Sequence, residues 1–303
     1  MKLVSFRSNA GQRVGAVIGD IVVDLNAVLG EGAVPGDMVA FLGAGQAAMA
    51  KAREAIEQFR GGDHRDAGSD LSKVNLLAPI PRPPKIMMGG RNYERHLTEL
   101  RSTGEPIPKP PYPRIFAKYH TAVTGPRSPI YYPKMVTQLD FEGELTVVIG
   151  KLARNVKESD WLDYVAGYTI VSDVTARDIQ ATGELITSKN FETFCPMGPW
   201  IVTPDEVPDP HELTVRLYIN DKKVSESHTS EMIYRIPQYI AFLSQVMPLE
   251  PGDVLTTGSP PGPGMYQNPP LLLQVGDVTR IEVERIGVLE NPVCSVDDQR
   301  RQR

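Results

Sequence analysis

Near the start of the chain, three short runs of apolar residues, at 3–6, 14–18 and 21–24, are separated by the turn formers Asn9-Ala10-Gly11 and Gly19-Asp20. This pattern predicts a small β-meander. From Met38 the spacing changes: Met38, Phe41 and Leu42 lead into AAMAKAREAIEQF, whose alanines and alternating charges predict a helix that stops at Gly61-Gly62. The run GGDHRDAGSD has turn composition, and Pro79, Pro81, Pro83 and Pro84 then make a stiff stretch that no helix can continue through. We therefore divide the chain into a small N-terminal domain of meander plus helix (1–75), a Pro-rich connector (76–84), a larger domain (85–292) and a polar tail (293–303).

Beyond the connector, strand-like runs dominate, at 86–88, 146–149, 168–172, 199–203, 213–219, 254–257 and 280–288. Helical spacing returns only near 93–101 and 236–245. Without regular strand–helix alternation or an internal repeat, the pattern predicts a β-rich α+β fold rather than a doubly wound sheet.

Composition narrows the function. The 303 residues, 41% hydrophobic and 23% charged, suffice for a full core. A net charge of −5 gives no positive field for phosphate backbones, so no nucleic-acid partner is expected. Two cysteines, Cys195 and Cys294, provide neither a disulfide framework nor zinc spacing, which points to a reducing, cytoplasmic setting. Cys195, beside Pro196 and without an activating neighbour, reads as structural. Arg7, Ser8, Asn9 and Arg13 interrupt the first residues, and no apolar stretch is long enough to span a bilayer, so no membrane association is expected.

Three features could carry chemistry. Asp140, Glu142 and Glu144 alternate ahead of a β-branched run, so one strand would turn all three carboxylates to one face. Like charges so close call for a cation or a proton, unless the face is simply solvated. Asp173 ends a second strand run and is either a further oxygen ligand or a helix N-cap. All-oxygen donors favour magnesium, manganese or calcium over zinc. In the third feature, His96 and Glu99 stand three residues apart on a short helix, as a general base with its orienting carboxylate or as a surface ion pair. His64, His120, His211 and His228 have no comparable partner within a helical turn.

Taken in order, GRNYERH, DFEGELTVVIGK, GYTIVSDVTARDIQ, SKNFETFCPMGPW and GDVLTTGSPPGPG closely resemble the fumarylacetoacetate hydrolase family over roughly residues 78–292. The resemblance implies the family's mixed β-sandwich roll, a small α+β N-terminal domain, and a homodimer. It implies Glu142, Glu144 and Asp173 as ligands of Mg²⁺ or Mn²⁺, with Ca²⁺ as the remaining candidate and Asp140 behind them. His96 and Glu99 would form the dyad on a lid-like helix, with Lys189 stabilising an oxyanion. Arg177 and Gln180 would orient a substrate carboxylate, and Ser259, Lys118 and Tyr93 complete the expected substrate contacts. Two motifs depart from the usual pattern: Gly90-Arg91-Asn92-Tyr93 stands where Gly-Leu-Asn-Tyr is common, and Gly-Ser-Pro-Pro-Gly-Pro-Gly where Gly-Thr-Pro-x-Gly-Val-Gly is.

The expected activity is metal-dependent hydrolysis of a carbon–carbon bond in an acylpyruvate or other 2,4-dioxo acid, in the breakdown of aromatic compounds or sugar acids. The same apparatus serves oxaloacetate-type decarboxylation and keto–enol isomerisation, since each needs a stabilised enolate. A silent dicarboxylate binder would need the cation but no base.

Overall fold

The computed structural model describes residues 1–102 and 109–298. Strands β1 (Lys2–Ser8), β2 (Gly11–Ile18) and β3 (Ile21–Asp24) form the meander that the pattern predicts. Alternation along β1 sends Leu3 to one face and Val4 and Phe6 to the other. Helix α1 (Leu25–Leu29) is capped by Asp24, and α2 (Met38–Gly43) by Asp37. Helix α3 (Gly45–Gly61) buries Ala48, Ala52, Ala55 and Ile56 at helical spacing. It ends at Gly62, whose φ of +100° lets its N–H return to the carbonyls of Gln58 and Phe59. β4 (Gly68–Asp70) then pairs with β3, and β5 (Asn75–Leu76) with β1.

The larger segment opens with β6 (Ile86–Gly90), α4 (Glu94–Ser102), β7 (Arg114–Lys118), β8 (Val123–Thr124), β9 (Ile130–Tyr132) and β10 (Leu139–Asp140). Next come β11 (Gly143–Ile149), β12 (Val165–Ser172), β13 (Thr175–Ala176), α5 (Arg177–Gln180), α6 (Leu185–Lys189) and β14 (Cys195–Val202). It closes with β15 (Thr214–Ile219), β16 (Lys222–His228), α7 (Ile236–Val246), β17 (Val254–Thr256), β18 (Val278–Val283) and β19 (Gly287–Ser295). The main sheet runs β4-β3-β2-β1-β14-β12-β11-β17-β6-β7. The Pro-rich stretch is thus no break in the sheet: Leu3 of β1 lies opposite Ile201 of β14.

A second sheet, β16-β15-β18-β19-β9, packs on the main one. Leu145, Val147 and Ile170 of the main sheet meet Leu217, Ile281 and Val283 of the second in one core. On the opposite face Val148, Val171, Ile201 and Val254 share a core with Ala52 and Ile56 of α3. Second sheet, main sheet and N-terminal helices therefore form three layers of a β-rich α+β fold.

Two expected boundaries change. The run at 280–288 is two strands, because Arg285, at φ +62°, turns the chain between β18 and β19. Residues 293–295 are no tail: they pair with Ile130, Tyr131 and Tyr132 of β9. Of the rest of the expected tail, 296–298 are helical and residues from 299 onward lie outside the described ones. β7 and β16 carry no clear apolar signal, and both are edge strands, where solvent faces much of the backbone.

Gly143 sits where the sheets come closest. A Cβ there would lie 2.3 Å from Leu217 Cδ2 and 2.8 Å from Ile281 Cγ2. Replacement Gly143→Ala is expected to destabilise the protein by about 1–3 kcal/mol through overpacking. Thermal unfolding checks this: an unchanged midpoint would mean that the sheets part without cost.

Candidate active site

Gly143 also explains the spacing of its neighbours. With the glycine turned to the second sheet, Glu142 and Glu144 face the other way, where both are buried. Pairing of β11 with β12 sets Gly143 opposite Ser172, and the Asp173 N–H donates to the Glu142 carbonyl at 2.8 Å. Glu142, Glu144 and Asp173 each thereby bring one carboxylate oxygen within 4.8 Å of the others. Asp140 does not join them. The strand is interrupted after β10, and Asp140 instead accepts from Gly264 N–H (2.9 Å), Met265 N–H (3.1 Å) and Arg177 Nε (2.9 Å). Nor is Asp173 a helix cap, since α5 begins four residues later.

Burial alone would push all these carboxyls up. For Glu142 burial is outweighed by Arg177 and Lys189, which hold it well below the usual carboxylate range. Glu144 goes the other way: burial and repulsion from Asp173 raise it well above that range, against a smaller opposing effect of Thr256. Its Oε2 is buried without a hydrogen-bond partner. An orphaned carboxylate oxygen among two other buried carboxylates fits a hard divalent cation, and the donor set is all oxygen.

Two lysines and one arginine brace this cluster. Lys189 Nζ lies 2.5 Å from Asp173 Oδ2, 2.9 Å from the Thr175 hydroxyl and 3.4 Å from Glu142 Oε2. Burial disfavours its charge, but Asp173 and Glu142 outweigh that and raise its pKa. Arg177 donates from Nη2 to Glu142 (2.7 Å) and from Nη1 to Gln180 (2.9 Å), besides its bond to Asp140. Lys118, expected as a substrate contact, is placed among protein partners. It is buried behind the cluster, where Nζ donates to the carbonyls of Val174 (3.0 Å), Phe194 (2.8 Å) and Lys189 and pairs with Asp173 Oδ1 at 2.9 Å. Burial lowers its pKa despite Asp173.

The dyad is built from α4. Asn92 pins its entry, donating to the carbonyls of Thr257 (2.8 Å) and Tyr234 (3.0 Å). Tyr93 and Leu97, one turn apart, are fully buried and anchor the helix. Tyr93, expected as a substrate contact, is placed in the core, where burial raises its hydroxyl pKa. His96 Nδ1 lies 3.1 Å from Glu99 Oε2. A carboxylate only accepts, so Nδ1 carries the proton in this bond, and in the neutral imidazole Nε2 is the nitrogen left to act as base. Glu99 Oε2 also accepts from Gly262 N–H at 3.2 Å, tying the dyad to the loop that Asp140 holds two residues further on.

These groups meet in a cavity of about 380 Å³. Its lining includes His96, Glu142, Glu144, Arg177, Gln180, Lys189 and Ser259, and also Arg91, Arg114 and Tyr266. Ser259 donates to the Pro260 carbonyl (3.0 Å) from the wall. Tyr266 is a member that sequence reasoning missed: its ring meets His96 edge-on at 5.6 Å and lies 5.7 Å from the Arg177 guanidinium. Only its place in a Gly/Pro-rich loop after a strand could have suggested it. Outside the cavity, His211 does have a partner, Asp209, at 3.0 Å, and its other ring nitrogen accepts from Ile236 N–H. Cys195 is buried, which pushes its thiol up to about 12 and makes it inert.

The family model for the fumarylacetoacetate hydrolase C-terminal domain matches residues 85–294. The chain belongs to the fumarylacetoacetate hydrolase family. Among its relatives is a mitochondrial oxaloacetate tautomerase of Xenopus laevis, 39% identical over 97% of this chain and 90% of that one. The maleylpyruvate hydrolase of Sphingobium sp. SYK-6, solved with manganese(II) and pyruvate, superposes with a TM-score of 0.78 at 31% identity, covering 97% of this chain and 99% of that one. A 5-carboxymethyl-2-hydroxymuconate delta-isomerase from Mycobacterium smegmatis gives 0.73 at 30% identity, covering 97% and 100%. Fumarylacetoacetate hydrolase relatives thus include hydrolases, isomerases and tautomerases, and one of them holds a divalent metal.

Proposed function

We propose that this protein is a Mg²⁺- or Mn²⁺-dependent enzyme that interconverts the keto and enol forms of an oxaloacetate-like 2-oxo acid. The observation that carries this reading is the His96–Glu99 pair, 3.1 Å apart, whose imidazole lies on the wall of the cavity that Glu142 and Glu144 also line. Relatives named as oxaloacetate tautomerases align along nearly the whole chain, and they move tautomerisation ahead of the hydrolysis expected from sequence.

Glu142, Glu144 and Asp173 would hold the cation. Bound there, it would supply a positive charge to stabilise the negative charge that develops on the 2-oxygen of the substrate. His96, its Nδ1 proton fixed by Glu99, takes a proton from substrate C3 at Nε2. The C–H electron pair becomes the C2–C3 double bond, the 2-oxygen takes a proton from water, and His96 gives its acquired proton back to water, so the enol forms with no net gain or loss of atoms. Gln180 and the one Arg177 N–H left after its internal bonds orient the proximal carboxylate. Tyr266, edge-on to His96, keeps the imidazole in place and covers it from bulk water.

A second reading is hydrolysis. The same base could take a proton from water, whose oxygen would join the distal acyl carbon while the C–C bond pair returns to C3 of a pyruvate enol. The maleylpyruvate hydrolase neighbour supports this route. One assay separates them: enol absorbance is followed with Mg²⁺ and then with EDTA, on oxaloacetate and on acylpyruvates, with pyruvate measured in parallel. The expected result is metal-dependent loss of oxaloacetate enol without pyruvate. Pyruvate released from acylpyruvates, with no effect on oxaloacetate enol, would overturn tautomerisation in favour of hydrolysis.

A further inference from the structure

Helix α7 begins after Arg235, whose guanidinium has no acceptor to offer the first N–H groups of a helix. The Ile236 N–H donates instead to Nε2 of His211 at 3.2 Å. Pro237 has no N–H, and the Gln238 N–H turns back to the Arg235 carbonyl at 3.1 Å.

The surroundings of the ring fix this role. Asp209 Oδ1 accepts from the His211 N–H (2.8 Å) and from Nδ1 (3.0 Å), so the neutral imidazole carries its proton at Nδ1 and accepts at Nε2. The ring is buried, with Trp161 at 6.1 Å. A proton added at Nε2 would set one donor against another, at the end of a helix whose backbone dipoles already oppose positive charge. Burial is the largest influence and disfavours that proton; Asp209 and Glu212, on the same loop, favour it, and Arg235 at the head of α7 opposes it. From β12, Tyr168 brings a hydroxyl that burial and Asp209 keep protonated.

The residues just ahead of α7 seat the dyad helix. Glu231 pairs with Arg95 at 2.6 Å, and Met232 bridges to Tyr93. Ile233 N–H donates to the Asn92 carbonyl (2.7 Å), and Tyr234 N–H to Asn92 Oδ1 (2.8 Å). A single residue, Arg235, separates this strip from Ile236.

We propose that His211 is an acid-released latch: protonation of its Nε2 frees the first turn of α7 and, through residues 231–234, loosens the helix that carries His96 and Glu99. The latch governs where the dyad stands and so goes beyond the reaction that the dyad serves. Because burial favours the neutral ring, its contribution to stability is complete above the ordinary histidine value of about 6.5 and is lost as pH falls below it.

Hydrogen exchange of the full chain with saturating Mg²⁺, read by mass spectrometry at about pH 7.5 and about pH 5.5 and corrected for its intrinsic pH dependence, is the test. Peptides covering 92–99 and 233–240 are expected to exchange about three- to tenfold faster at the lower pH, the range open to one proton taken up about a unit below the ordinary value. In His211→Gln, whose amide oxygen can accept from Ile236 but takes no proton, that acceleration should vanish. His96 is untouched in this variant, so acceleration of 92–99 that persists would place its cause elsewhere and overturn the latch. A wild type whose two peptides exchange alike at both pH values, or in which 233–240 opens and 92–99 does not, would overturn it too. Should His211→Gln fail to fold, Asp209→Asn, at an exposed position, keeps an acceptor for Nδ1 and removes the charge that favours the second proton. Its acid transition is expected to move to lower pH, and one that stays or moves up would count against the proposal. Exchange that behaves as expected in a protein that does not tautomerise oxaloacetate would sink the reaction reading and leave the latch standing.

Discussion

Glu144→Gln is expected to weaken Mn²⁺ binding by about 100-fold or more, beyond the usual cost of disturbing a group that merely supports a ligand, and to abolish turnover. The substitution keeps the shape of the side chain and removes only its charge. Titration calorimetry with Mn²⁺ reads the loss directly, whatever the reaction. The same carboxyl makes binding sensitive to acid. Because burial and Asp173 raise Glu144 well above the ordinary range, a proton must leave before a cation can bind, and affinity should fall by up to about tenfold per pH unit on acidification. The stability of the metal-free protein should move the opposite way. A carboxyl whose pKa is higher folded than unfolded favours the fold while protonated and opposes it as pH rises past the unfolded value. The substituted amide would carry no such charge, so metal-free Glu144→Gln should melt no lower than wild type at neutral pH. A variant that melts lower and binds Mn²⁺ normally would show that Glu144 is structural.

His96→Ala is expected to lower kcat by about 10²–10⁴-fold, the usual contribution of a positioned general base, while Mn²⁺ affinity stays close to wild type. The separation follows from placement: His96 contacts Glu99 and Tyr266, and none of the three clustered carboxylates is among its hydrogen-bond partners. Glu99 should survive the loss in place, since Gly262 N–H also holds its Oε2. Steady-state kinetics with parallel Mn²⁺ titration is the check. Turnover that persists without the imidazole would remove His96 from the chemistry and leave proton transfer to another group.

The parts of this site that can be read from sequence are those set by local spacing. Glu142 and Glu144 flank one residue, and His96 and Glu99 lie one helical turn apart, so strand and helix periods alone bring each pair together. Asp140 reads falsely as the third member of a strand face because the strand breaks between Asp140 and Gly143 and Asp140 is taken up by the backbone N–H groups of Gly264 and Met265, partners too distant in the chain for any local pattern to reveal. Lys118 and Tyr93 escape sequence reasoning for a related cause: whether a lysine or tyrosine faces a cavity or the interior behind it depends on strands far apart in the chain. Lys118 reaches the carbonyls of Val174, Lys189 and Phe194, on three separate stretches. The N-terminal meander and α3 are legible from their own periodicity, but their union with the main sheet is not, since it depends on the distant pairing of β1 with β14.

That pairing has a consequence for how the chain is made. Leu3 finds its partner Ile201 only after about 200 further residues have been added, which at ordinary translation speeds takes roughly 10–40 s. β5 covers Phe6 and Arg7 much earlier, but the Lys2–Leu3 end of β1 stays an open margin throughout that interval, the kind of surface that recruits the wrong neighbour. The strand that closes this margin, β14, also pairs with β12, whose last residue precedes Asp173. A ribosome that stalls before residue 195 therefore leaves that margin open and β12 without one of its neighbours, although all three clustered carboxylates have already been made.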